Sequence, residues 1–133
     1  MTEQKERPVV ERIQSFYEAF ATKGIEGAAE LLNEDEFSWH VPGENPLSGV
    51  YHGVAGYKEL GGKMSDADEW SFEVRDIIPN DDLALVLMRV RGERKGKHID
   101  LDGAHVFRLD GAGKIAEGWG FVRDQRTLDD FWS

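Results

Sequence analysis

The chain has 133 residues, 40% of them hydrophobic and 32% charged, with a formal net charge of −10. This size and composition fit one domain able to bury a core without staples, and the acidic balance argues against a nucleic-acid partner. The absence of cysteine excludes disulfides, thiolate nucleophiles and thiolate metal sites.

The N-terminus "MTEQKERPVV" is charged and lacks the apolar stretch of a signal peptide. No apolar run approaches the roughly 20 residues that cross a bilayer. A cytoplasmic location is expected, with no membrane partner. No repeat or linker divides the chain, so residues 1–133 are expected to form a single domain.

In chain order, "PVVERIQSFYEAFATKG" places Val9, Ile13, Phe16, Tyr17 and Phe20 on one helical face. Pro8 suits the first turn and Gly24 the stop. "IEGAAELLN" reads as a second short helix. "EFSWHVP" reads as a strand ended by Pro42 and Gly43, followed by a loop. "VAGYKELGGKMSDA" reads as a third helix, weakened by Gly61 and Gly62.

The period then changes to two. "WSFEVRDIIP", "LALVLMRVRGER", "KHIDLDGAHVFRLD" and "KIAEGWGFVRD" read as four strands separated by turn residues. "RTLDDFWS" reads as a terminal turn or tail. Helices first and a meander afterwards predict an α+β domain.

Of the four histidines, His52 and His98 fall at loop or strand-start positions and read as surface residues. His105 shares a strand face with Ile99, Leu101, Gly103, Phe107 and Leu109, so it is expected to point inward. In "EFSWHV", Ser38 and His40 share one face, and Phe37, Trp39 and Val41 the other. Alternation alone leaves open which face is inside. No His-x-x-x-His or His-x-His spacing is present, so no metal and no cofactor are expected.

The segments "FYEAFATKGIEGAAELLNEDEFSWHVPG", "PLSGVYHGVAGYKEL" and "HVFRLDGAGKIAEGWGFVRDQRTLDDFW" resemble the SnoaL-like, polyketide cyclase-like subgroup of the nuclear transport factor 2-like superfamily. Ketosteroid isomerase is a more distant likeness. The resemblance implies a cone-shaped, curved antiparallel sheet wrapped around N-terminal helices, the α+β barrel type. It also implies a pocket for a small hydrophobic organic molecule and a homodimer formed through the convex sheet face.

On the isomerase pattern, the position of the general base falls on His40. The position of a protonated oxyanion-hole Asp falls on His105, and that of the oxyanion-hole tyrosine on Phe16. All three residues differ from the isomerase's. What carries over is a pair of titratable residues, with His40 inside as general base and His105 as hydrogen-bond donor or acid.

The reaction implied is a cofactor-independent isomerisation, dehydration or cyclisation; the alternative is a noncatalytic binding or carrier protein. The expected lining comprises Phe16, Phe20, Val86, Met88, Val90 and Phe107, with Tyr17 and Tyr57 offering hydroxyls. Trp119 falls either at the pocket, beside space left by Gly118 and Gly120, or on the convex face. Asp124 sits near the mouth, as a cap or as a carboxylate orienting a histidine.

Overall fold

This computed structural model describes the backbone of residues 2–133 and the side chains of residues 8–133. Helix α1 runs Thr2–Ala29. It is kinked at Gly24, whose φ of 64° and ψ of −154° break the helical path. Such a left-handed φ costs glycine little, so the chain bends there and the helix resumes. The second short helix is therefore the last part of α1, and Pro8 lies inside the helix, not in its first turn. The apolar stripe is buried as its spacing predicts, with Ile13, Phe16 and Tyr17 against the sheet and Ala28 beyond the kink.

Strand β1 (Ser38–Val41) is followed by β2 (Gly49–His52), which the sequence pattern read as loop. The two pair antiparallel, with Trp39 opposite Tyr51. Helix α2 (Gly53–Met64) turns Tyr57 and Leu60 inward. Strands β3 (Glu69–Asn80), β4 (Leu83–Arg94), β5 (Lys97–Leu109) and β6 (Ile115–Val122) form the expected meander. Among the described residues the sheet has six strands in the order β2-β1-β6-β5-β4-β3.

The sheet is curved and does not close into a barrel. Nor is it wholly antiparallel, because β1 lies parallel to β6, with Ser38, Trp39 and His40 beside Glu117, Gly118 and Trp119. That register fixes which side chains share a face. Along β4 the alternation is clean: Ala84, Val86, Met88 and Val90 are buried, while Leu83, Leu85 and Leu87 face out.

The terminal segment read as a tail is helix α3 (Gln125–Trp132). Leu128, Phe131 and Trp132 form its buried face. The buried Arg94 fixes its end, donating to the carbonyls of Phe131 and Ser133 at 3.0 Å each and to Asp66 at 2.7 Å. At the other side, Asp129 accepts from the Glu44 amide at 3.1 Å and from Asn45 Nδ2 at 2.8 Å. Helix α3 is thereby tied to the β1–β2 loop.

Candidate functional site

A cavity of about 90 Å³ lies between the concave sheet face, the helices and α3. A water needs roughly 10–15 Å³ of such space, so the cavity holds a small ring or several waters. Phe16 and Phe20 come from α1, Tyr57 and Leu60 from α2, Phe72 and Val90 from the meander, and Leu128 and Trp132 from α3. Trp39, Trp70 and His105 complete the parts of the wall that carry nitrogen. Among the described residues, no lysine, arginine, aspartate or glutamate lines it.

His105 reaches this wall because it alternates with Phe107 on the concave face of β5. The Tyr17 hydroxyl lies 2.6 Å from its Nδ1. Its ring sits among aromatic neighbours, with Trp39 and Phe72 edge-on at centroid distances of 4.9 and 5.0 Å. Burial lowers its pKa to about 3, since an imidazolium would lose its hydration there without gaining a counter-charge. The ring is therefore neutral at physiological pH.

Gly120 lines the cavity beside it, and a Cβ at that position would come within 3.9 Å of His105 Nε2. Glycine at 120 leaves that edge of the imidazole uncovered. Gly118 serves differently: the Trp39 ring occupies the place its Cβ would take. Of the two glycines expected to make room, one accommodates packing and the other borders the cavity.

Tyr57 is fully buried and its pKa is raised by that burial. The Tyr17 phenol is raised as well, first by burial and then by its proximity to Tyr57. Trp70 Nε1 is buried with no hydrogen-bond partner among the described residues.

His40 is on the other face. Its Nε2 lies 2.8 Å from Glu117 Oε2, and its ring stacks on Trp119 at 5.2 Å and 8°. Glu117 Oε1 in turn accepts from Arg108 at 3.4 Å. The expectation that His40 points inward is thus corrected: Trp39 and Val41 take the inside of β1, and alternation turns His40 out. The two histidines do not meet in one cavity.

Among the other expected residues, Phe16, Phe20, Tyr57 and Val90 line the cavity. Met88 and Phe107 are buried behind the wall, and Tyr17 stands behind His105. Trp119 lies on the convex face with His40. Asp124 caps α3, accepting from the Thr127 amide at 3.3 Å.

Trp39, Trp70, Phe72, Leu128 and Trp132 were not in the expected lining. Their signals were present in the alternation of "FSWHV" and "WSFEV" and in the i, i+4 spacing of Leu128 and Trp132. Among the described residues, no group of three or more His, Asp or Glu could hold a metal ion.

Residues 13–118 match the family model described as a SnoaL-like domain. No curated protein matches the chain. Three solved structures show the same fold. TerC, co-crystallised with polyporic acid, is 22% identical over 93% of this chain and 97% of that one, with a TM-score of 0.83. A nuclear transport factor 2-like protein from Burkholderia xenovorans is 21% identical over 96% and 98%, also at 0.83. A candidate SnoaL-like polyketide cyclase from Jannaschia is 14% identical over 97% and 94%, at 0.77.

Proposed function

Because the chain belongs to the SnoaL-like domain family, a family of small-molecule binders, isomerases and cyclases, we propose that it binds a small, largely apolar organic molecule in the cavity under its sheet. The observation that carries this reading is the composition of the wall. It is aromatic and aliphatic, has no charged side chain among the described residues, and presents His105 and Tyr57 as polar groups. A concave apolar site with few polar groups is the usual form of a ligand pocket. The relative co-crystallised with polyporic acid is in keeping with an organic ligand here.

Binding is favoured over proton-transfer catalysis. Catalysis by a histidine pair needs both imidazoles near one reacting atom, and His40 is engaged by Glu117 on the opposite face. Among the described residues, no second imidazole or carboxylate lines the cavity to serve as base. His105 and Tyr57 would polarise a carbonyl oxygen, which is the feature that keeps isomerase or cyclase activity as a second reading.

The convex face is proposed to pair two copies of the chain. Ile78, Leu85, Val106, Trp119, His40 and Val50 are register partners in one row across all six strands. Leu87 and Phe121 belong to a neighbouring row through Ala104 and are 40% and 50% exposed. An apolar strip of this extent is a common mark of an interface.

The four tryptophans give the test. Trp39, Trp70 and Trp132 line the cavity, whereas Trp119 lies outside it. In a titration with acetophenone followed by indole N–H resonances, the first three are expected to shift saturably and Trp119 to stay. A shift of Trp119 alone, or no shift, would count against a ligand cavity.

A further inference from the structure

We propose that Tyr17 fixes His105 as a hydrogen-bond donor toward the cavity, so that its occupant is an uncharged molecule carrying an acceptor oxygen such as a carbonyl. This rests on the reading that the cavity binds a small molecule, and it specifies the chemistry of that molecule.

The argument starts at the 2.6 Å contact between the Tyr17 hydroxyl and His105 Nδ1. A neutral imidazole carries one proton on one nitrogen. A phenol donates more strongly than an imidazole N–H, and the unprotonated imidazole nitrogen accepts more strongly than a phenol oxygen. Tyr17 therefore donates and Nδ1 accepts, which leaves the ring proton on Nε2. The reverse arrangement would strand the Tyr17 hydroxyl proton in a buried site without another acceptor among the described residues.

Nε2–H has no hydrogen-bond partner among the described residues, and it lies on the edge bordered by Gly120. The aromatic rings of Trp39 and Phe72 beside it could serve as weak acceptors only. Tyr57 offers a further hydroxyl to the same cavity.

Charge selects in the same direction. With no lysine or arginine in the wall, a carboxylate would be buried without a counter-ion. With no aspartate or glutamate, an ammonium would fare no better. What fits is a neutral ring with an oxygen that accepts from Nε2–H.

Tyr17 is in this account a positioning residue, since it acts through His105. Two measurements on the intact chain test it. The first is the His105 tautomer, read from imidazole ¹⁵N shifts: Nε2 is expected to be the protonated nitrogen in the wild type, and Tyr17→Phe is expected to populate the Nδ1–H form. The second is a comparison of acetophenone, its hydrocarbon counterpart ethylbenzene, and benzoate, each followed at the Trp39, Trp70 and Trp132 indole signals.

One neutral hydrogen bond predicts acetophenone binding about three- to tenfold more tightly than ethylbenzene. That preference shrinks in Tyr17→Phe, and benzoate does not bind. An Nδ1–H tautomer in the wild type, or ethylbenzene binding as tightly as acetophenone at those indoles, overturns the donor assignment while leaving the cavity reading intact. If none of the three probes moves those indoles, the cavity reading itself fails. The tautomer measurement in the wild type stands even where the variant does not fold.

Discussion

Glu117 Oε2 lies 2.8 Å from His40 Nε2, on the face of the sheet opposite the cavity. The pair is partly exposed, so its contribution to stability is at most about 1 kcal/mol. His40→Gln should therefore leave acetophenone binding at the Trp39, Trp70 and Trp132 indoles unchanged, because the His40 side chain is not part of the cavity wall. Loss of that binding in a folded His40→Gln protein would return His40 to the site.

His105 makes stability depend on pH in a definite direction. Its pKa falls from about 6.5 in the unfolded chain to about 3 in the fold, so the fold favours the neutral ring. The groups packed around it are Tyr17, Trp39, Phe72 and Phe107, and no carboxylate is among them. The stabilisation is full above the unfolded value and is lost as pH falls from about 6.5 toward 3, at about 1.4 kcal/mol per unit. Urea unfolding at pH 6.5 and pH 5 should show the wild type losing about 2 kcal/mol more than His105→Gln. Equal losses would mean that His105 is not held neutral by burial.

These two histidines show what was legible in the sequence and what was not. His105 sits in a run whose alternate residues are nearly all apolar, so its inward direction followed from period two. Likeness to ketosteroid isomerase puts His40 inside, although Phe37, Trp39 and Val41 opposite it are the larger apolar set. Burial of those rings outweighs burial of one imidazole, and the local pattern was the better guide.

The meander was readable because its strands are long and separated by turn residues. Strand β2 was not, because "GVYH" is four residues long and becomes a strand only by pairing with β1. Helix α3 is short, and its role as a wall depends on its contacts with Arg94 in β4 and with Glu44 and Asn45 in the β1–β2 loop, which are distant in sequence.

Gly118 and Gly62 should respond oppositely to the same substitution. The Trp39 ring fills the place of a Cβ at Gly118, so Gly118→Ala must displace a packed aromatic, at a cost of about 1–3 kcal/mol. At Gly62, in α2, nothing lies within 4 Å of the added methyl. Gly62→Ala should stabilise by about 0.5–1 kcal/mol through helix propensity. Chemical denaturation checks both, and a neutral Gly118→Ala would show that Trp39 can move aside.

The proposed pairing of copies has its own variant. Leu87 and Phe121 flank Ala104 in one cross-strand row and are exposed in the single chain. Leu87 is not part of the cavity wall, and a charge there opposes an apolar interface, so Leu87→Glu is expected to turn a dimer into a monomer in sedimentation velocity. A wild type that sediments as a monomer would contradict the pairing, and a variant that stays dimeric would place the interface elsewhere.

The most direct test fills the cavity from the one wall position left without a side chain. A Cβ at Gly120 meets only ordinary contacts, the nearest atom being His105 Cδ2 at 3.7 Å, so Gly120→Leu is expected to fold and to project into the space beside Nε2. Acetophenone titration of both proteins, read at the indole signals, is the measurement. The account predicts saturable shifts of Trp39, Trp70 and Trp132 in the wild type and none in folded Gly120→Leu. Equal binding by the two proteins would contradict it.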